Sequence, residues 1–219
     1  MPRERLKDKI ARAKKIVKAL KVAYPNAECS LNFRNIHQLM VATMLSAQCT
    51  DERVNIVTKD LFKKYRSVKD FAEVDVKQLE KDIHSTGFYK NKAKSIKKSA
   101  QQLLEHYDGH IPRTLDELVT LAGVGRKTGS VVLGVGYGLA EGIVVDTHVI
   151  RISNLLKLTN HKDALKIEKE LMKILPKKDW IMFTHLMIDH GRAVCIARRP
   201  DCANCTLKNL CPSAKIQKI

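Results

Sequence analysis

The last quarter of the chain carries CIARRPDCANCTLKNLC, which sets Cys195, Cys202, Cys205 and Cys211 in a C-x6-C-x2-C-x5-C spacing. Four thiolates in one short segment can surround a single metal centre. Cys29 and Cys49 stand alone, and six cysteines in a reducing cell do not read as a disulfide framework. Spacing leaves the metal open. Zinc favours paired Cys-x-x-Cys knuckles, and only Cys202 and Cys205 form one. A four-iron, four-sulfur cube takes four thiolates at uneven spacing. Arg198, Arg199 and Lys208 make the same segment a basic surface that could press on DNA.

A second stretch with chemistry in it is LAGVGRKT, residues 121–128. It is not a phosphate-gripping Walker loop, because Arg126 separates Gly125 from Lys127 and the preceding LDELVTLA reads as a helix. It is not a dinucleotide fingerprint either, since Gly123, Gly125 and Gly129 miss that spacing by one and follow no strand. What remains is helix, Gly-Val-Gly turn, helix. Gly123 can take a positive φ and end the first helix. Gly125 lets a ligand approach the backbone. Together with Val124 and Arg126 they form a helix–hairpin–helix grip on DNA phosphates that reads no sequence. A plain αα-hairpin is the structural alternative. Lys127 falls in the first turn of the second helix, where the helix dipole disfavours a cation. It could touch phosphate, or it could be a nucleophile. Only a neutral amine attacks carbon, and positive surroundings favour that form.

Downstream, residues 144–151 read VVDTHVIR. Asp146 follows an apolar run and precedes a helix, so its default role is N-cap. One carboxylate oxygen can cap while the other takes a proton from an amine and steadies positive charge on a sugar.

These residues need helices to position them, and the apolar pattern is helical almost throughout. Leu6, Ile10, Ala13, Val17 and Leu20 recur at helical spacing under a basic outer face. Residues 36–47 are apolar nearly all round and predict a buried helix. Further helices are expected over 51–65, 68–73, 76–84, 89–107, 147–157, 163–175 and 180–194. In 89–107, Ala93, Ile96, Ala100, Leu103 and Leu104 face inward. Gly87 breaks the pattern, and Thr114 with Glu117 reads as a capping box. GIVVD at 142–146 is the one candidate extended piece. The fold is all-α.

Composition narrows the partners. Hydrophobic residues are 44% of 219, enough for a core. Forty Lys and Arg against 23 Asp and Glu give a net charge of +17. That excess repels itself unless it meets a polyanion, with nucleic acid the first candidate and an anionic membrane surface the second. No stretch is apolar for the length of a membrane span and the N-terminus lacks a signal region, so a soluble intracellular protein is expected.

Taken together, the motifs resemble the endonuclease III family, helix–hairpin–helix DNA glycosylases with a C-terminal [4Fe–4S] cluster. LSAQCTD, STGFYKNKA, LAGVGRKT, VVDTHVIR, HGRAVC and the four cysteines stand in family order, and the likeness runs from about residue 30 to 212. It implies two α-helical domains with a DNA cleft between them. One is a six-helix barrel over residues 30–140. The other is an iron–sulfur domain made of 1–29 plus 141–219. It implies Lys127 as nucleophile, Asp146 as its partner, and Cys195, Cys202, Cys205 and Cys211 as cluster ligands. Gln48 and Phe88 fall where the family inserts side chains beside a flipped nucleotide, and His148 where it touches the DNA backbone. Without the family these three would read as a solvated helix end, a core aromatic and a polar residue of a first helical turn.

The resemblance further implies a bifunctional glycosylase/AP lyase acting on oxidised pyrimidines in damaged double-stranded DNA, monomeric, cytoplasmic and nucleoid-associated. The rivals are a mismatch-, uracil- or adenine-directed glycosylase of the same superfamily and a non-catalytic iron–sulfur DNA-binding regulator. The joint presence of Lys127 and Asp146 speaks against the regulator. Three positions depart from the family: Ala122 stands for proline, Phe88 for leucine and Gly129 for alanine.

Overall fold

The computed structural model describes residues 4–214, and among them there are helices and turns but no strand. The GIVVD segment is irregular chain. Contacts divide the chain into two compact units. Cys29–Glu141 form one; Met1–Glu28 with Gly142–Ile219 form the other, of which 4–28 and 142–214 are described.

The first unit holds α2 (Ile36–Leu45), α3 (Asp51–Lys64), α4 (Val68–Glu73), α5 (Val76–Asp82), α6 (Tyr89–Tyr107), α7 (Leu115–Leu118) and α8 (Arg126–Val131). Each start is set by a short polar side chain where one is present. Asn35 Oδ1 accepts from the Gln38 N–H at 2.9 Å to open α2. Thr50 Oγ1 does the same for α3, whose Asp51, Glu52 and terminal Lys63, Lys64 also suit the helix dipole. The complete capping box lies at Ser67–Asp70, opening α4. At Thr114 only half of the expected box forms: Thr114 Oγ1 accepts from the Glu117 N–H, but the Glu117 carboxylate takes the threonine hydroxyl instead of its backbone N–H. Met40, Leu45, Phe71, Leu79, Ile96, Leu118 and Leu133 fill the core. Helix α6 turns Ala93, Ile96, Ala100 and Leu103 into it as expected. Leu104 does not follow; it lies one step off the stripe and is 41% exposed.

The second unit packs α1 (Leu6–Ala23), α9 (Thr147–Leu155), α10 (Ala164–Ile174) and α11 (Trp180–Ala193) around Ile16, Leu20, Ile152, Ile167, Leu171, Phe183 and Leu186. Leu6, assigned inward by spacing, begins α1 beyond that core and is exposed. Arg12 ties the first helix to the end of the chain. Its Nη1 donates to the carbonyls of Leu156 at 2.7 Å and Leu210 at 3.3 Å. Helix α9 stops at Leu155, because Lys157 turns left-handed at φ 53° and the Leu158 N–H closes on the Ser153 carbonyl.

Candidate functional site

The hairpin is built as glycine chemistry demands. Gly123 has φ 75°, and a Cβ placed there would meet Ser95 Cβ at 2.6 Å and Met44 Cε at 2.9 Å. Only glycine satisfies both the backbone angle and the space. Val124 is buried beneath the turn and its N–H bonds the Leu121 carbonyl. Gly125 is the N-cap of α8; it has no side chain to occupy the first N–H groups, and nothing lies within 4 Å of where its Cβ would be. Ala122, where the family favours proline, uses its N–H: Gln102 Oε1 accepts it at 2.8 Å and moors the turn to α6. Proline could not make that bond. Gly129 is buried where a Cβ would come within 2.8 Å of Leu115 Cδ1, so an alanine here would push the end of that leucine side chain aside.

Arg126 and Lys127 open α8, both exposed. The Lys127 side chain has no hydrogen-bond or ionic partner among the described residues. In the same unit Gln48 and Phe88 are exposed non-glycine residues with φ 54° and 49°. Phe88 is 63% exposed, so the core-aromatic alternative fails.

In the second unit Asp146 caps α9. Its Oδ1 accepts from the Val149 N–H at 2.8 Å, while Oδ2 has no partner among the described residues. His148 lies in the first turn of α9 against α11, where a Cβ on Gly191 would strike His148 Nδ1 at 2.3 Å. Arg151 Nη2 approaches the same nitrogen at 3.4 Å.

The four C-terminal cysteines line one cavity of about 270 Å³. N–H donors stand near two of their sulfurs, while Cys211 Sγ donates to the Leu155 carbonyl at 3.8 Å. Arg151 Nη1 bonds the Cys195 carbonyl and stands 3.6 Å from Cys195 Sγ. The Leu207 N–H is 3.4 Å from Cys205 Sγ. His190 Nε2 is 3.6 Å from the same sulfur, and its Nδ1 pairs with the Tyr24 hydroxyl at 3.0 Å. Burial, aided by the nearby Arg151 charge, lowers the His190 pKa to about 4, so the ring is neutral. With Tyr24 donating to Nδ1, the Nε2–H is the donor to sulfur. Burial pushes the thiols of Cys195, Cys205 and Cys211 up. Thiolates in that place need a positive centre among them. No three His, Cys, Asp or Glu side chains among the described residues close on a point the size of one ion.

The sequence reading passed over Tyr24, Arg151 and His190. Their signal was weak but present: His190 lies in the last turn of α11, five residues before Cys195, and Arg151 lies on the α9 face that carries His148.

The sequence profile of the HhH-GPD superfamily base excision DNA repair proteins matches residues 41–177. Endonuclease III of Synechocystis sp. is 49% identical over 211 residues, covering 96% of this chain and 96% of that protein. The chain belongs to the endonuclease III family. Endonuclease III of Bacillus subtilis is likewise 49% identical, over 86% of each protein. A solved structure described as a trapped endonuclease III–DNA covalent intermediate superposes with a TM-score of 0.89 at 44% identity, covering 94% of this chain and 97% of that one. Membership of the endonuclease III family makes this chain a base excision repair enzyme, a DNA glycosylase and AP lyase. Among the described residues no helix is long and apolar enough to cross a membrane.

Proposed function

We propose that the chain removes oxidised pyrimidines from double-stranded DNA and then cuts the strand 3′ to the lesion, with Lys127 as nucleophile. The observation that carries this is Lys127 itself, exposed and unpaired at the head of α8 behind a glycine-built turn. The hairpin, Gly123 to Arg126, and the basic faces hold phosphates, and His148 assists at the backbone. The damaged base rotates out of the stack, most readily where pairing is already weak. Gln48 and Phe88 enter the gap it leaves.

The Lys127 amine forms a bond to C1′ as the bond from C1′ to the base breaks, and the base leaves with the bonding electron pair and takes a proton from water. Asp146, through the oxygen not engaged in capping, receives the proton the amine loses and stabilises the cationic sugar. The sugar ring opens to a protonated imine. Loss of a proton from C2′ then expels the 3′ phosphate, which is the strand cut. A glycosylase that used water as nucleophile would have no need of Lys127.

Cys195, Cys202, Cys205 and Cys211 would hold a [4Fe–4S] cluster. The fit rests on the donor set: four thiols around one cavity, N–H groups directed at two of the sulfurs, and no tight single-ion cage. Such a cluster supplies a cross-link for the last loop and a redox centre. The residues around it orient the sulfurs, and base excision itself needs only the lysine and the carboxylate.

The test is borohydride trapping on a duplex with one thymine glycol, beside an undamaged duplex and Lys127→Gln. An adduct is expected only with the lesion and Lys127 together. Strand cutting at abasic sites by Lys127→Gln would overturn the assignment, and an adduct on undamaged or mismatched duplex alone would redirect the substrate.

A further inference from the structure

Lys92 is the one lysine of the helix α6 that points inward. It is 7% exposed, between buried Ala93 and the Ile96 face, yet no carboxylate meets it. Its Nζ donates to two backbone carbonyls, Leu45 at 2.8 Å and Thr86 at 2.8 Å. Leu45 is the last residue of α2, three positions before Gln48. Thr86 ends a short 3₁₀ turn, two positions before Phe88. One ammonium thus clasps the stems of both exposed turns.

We propose that Lys92 is a positioning residue that locks the Gln48 and Phe88 turns into a single rigid edge for insertion into DNA. This rests on the roles proposed above for those two side chains.

Three observations favour it over a packing role. A buried ammonium without a counter-charge is unfavourable, and Leu or Met would fill the same space without that penalty. The carbonyl at the end of α2 belongs to the set that a helix leaves unpaired, and a cation there also suits the dipole. The turns it holds are also the strained ones. Of the four non-glycine residues with positive φ among the described residues, Asp108 and Lys157 end helices in ordinary left-handed stops. Gln48 and Phe88 instead lead into α3 and α6 with their side chains outward. A non-glycine residue held left-handed stays there only when its surroundings fix it. Burial lowers the Lys92 pKa, with Cys49 acting weakly in the opposite direction.

The experiment uses the full chain and three proteins: wild type, Lys92→Met and Lys92→Arg. Two substrates are compared under single-turnover conditions, a duplex with a base-paired thymine glycol and a single strand with a preformed abasic site. The second needs Lys127 but no insertion. Lys92→Met should slow the duplex reaction roughly 10- to 100-fold and leave the single-strand cut within about twofold, with Lys92→Arg restoring part of the duplex rate. A third readout does not depend on the lesion: 2-aminopurine opposite a reduced abasic site, whose fluorescence should rise on wild-type binding and stay low with bound Lys92→Met. Equal loss on both substrates, or an unchanged duplex rate and fluorescence, overturns the proposal. Should Lys92→Met fail to fold, Lys92→Gln, which retains one donor, is read by the same criteria. Wild-type failure on thymine glycol with a normal fluorescence rise would sink the substrate assignment and leave the role of Lys92 standing.

Discussion

In Cys29–Glu141 the lysine proposed as nucleophile is exposed and held by backbone alone. A left-handed Gly123, a bare Gly125 and a buried Val124 put Lys127 where it stands, and its side chain has no hydrogen-bond or ionic partner among the described residues. In the other unit the chemistry-bearing cysteines are half-buried and ringed by side chains, with Arg12, Arg151, His190 and Tyr24 all engaged around the closing loop. The first arrangement is complete in the polypeptide. The second sets buried thiols together in a way that a polypeptide alone does not favour, because thiolates there repel and thiols waste the donors around them. The nucleophile's geometry therefore depends on turn chemistry, and the cysteine loop's on what it binds.

The sharpest way to break this contrast is at Asp146, which caps α9 and is proposed to take the proton from Lys127. Asn is as good an N-cap as Asp. Asp146→Asn should leave thermal stability within about 0.5 kcal/mol and lower single-turnover base excision roughly 10²- to 10⁴-fold. If stability falls and turnover does not, the residue is a cap and nothing more.

Next in size is the cysteine loop. Cys205→Ser removes a proposed cluster ligand and the sulfur that faces the Leu207 N–H and His190 Nε2. Iron content and visible absorption should vanish, and urea unfolding should show the second unit weakened by several kcal/mol. The hairpin unit should keep its own transition. A single shared loss, or iron retained at the wild-type ratio, would contradict the division.

How much of this was legible beforehand depends on what kind of signal each residue carries. Cys195 to Cys211 and LAGVGRKT announce themselves because metal ligation and left-handed turns each restrict the residue type. Helix stripes were equally plain, since burial along α6 repeats at 3.6 residues. Lys92 and His190 were hidden by their own chemistry. A lysine in a lysine-rich helix reads as solvated, although Lys92 shares a face with Ile96 and Ser99. Their roles come from long-range partners, Leu45 at a separation of 47 residues and Tyr24 at 166, and no local pattern encodes those. Leu104 misled for the opposite reason, an apolar residue one position off the stripe.

The two hairpin glycines separate shape from contact. Gly123→Ala must shift Ser95 or Met44 and hold alanine at φ 75°, so it should lower stability by about 2–4 kcal/mol. Gly125→Ala has open space and φ −85°, so it should cost only about 0.5–1 kcal/mol as a poorer N-cap while weakening binding to DNA. Filter binding beside calorimetry reads both. Equal destabilisation would mean that the turn is a rigid unit with no exposed contact face.

A further effect is carried by a proton in the hairpin unit. His37 stands edge-on to Phe71 at 5.2 Å, and Arg66 and His110 line the same shallow cavity. Burial lowers the His37 pKa from 6.5 to about 4. The unfolded chain therefore binds a proton that the folded chain refuses between those values, and stability rises with pH across that window. The contribution is fully present above pH 6.5 and is lost as pH falls toward 4. Lowering the pH from 7.5 to 5 should weaken wild type by about 2 kcal/mol more than His37→Leu, read as the difference between two urea midpoints. His185 and His190 shift in the same direction in the other unit, so only this difference isolates His37. Parallel pH profiles would place the histidine in water, and the end of the core at α2 would have to be redrawn.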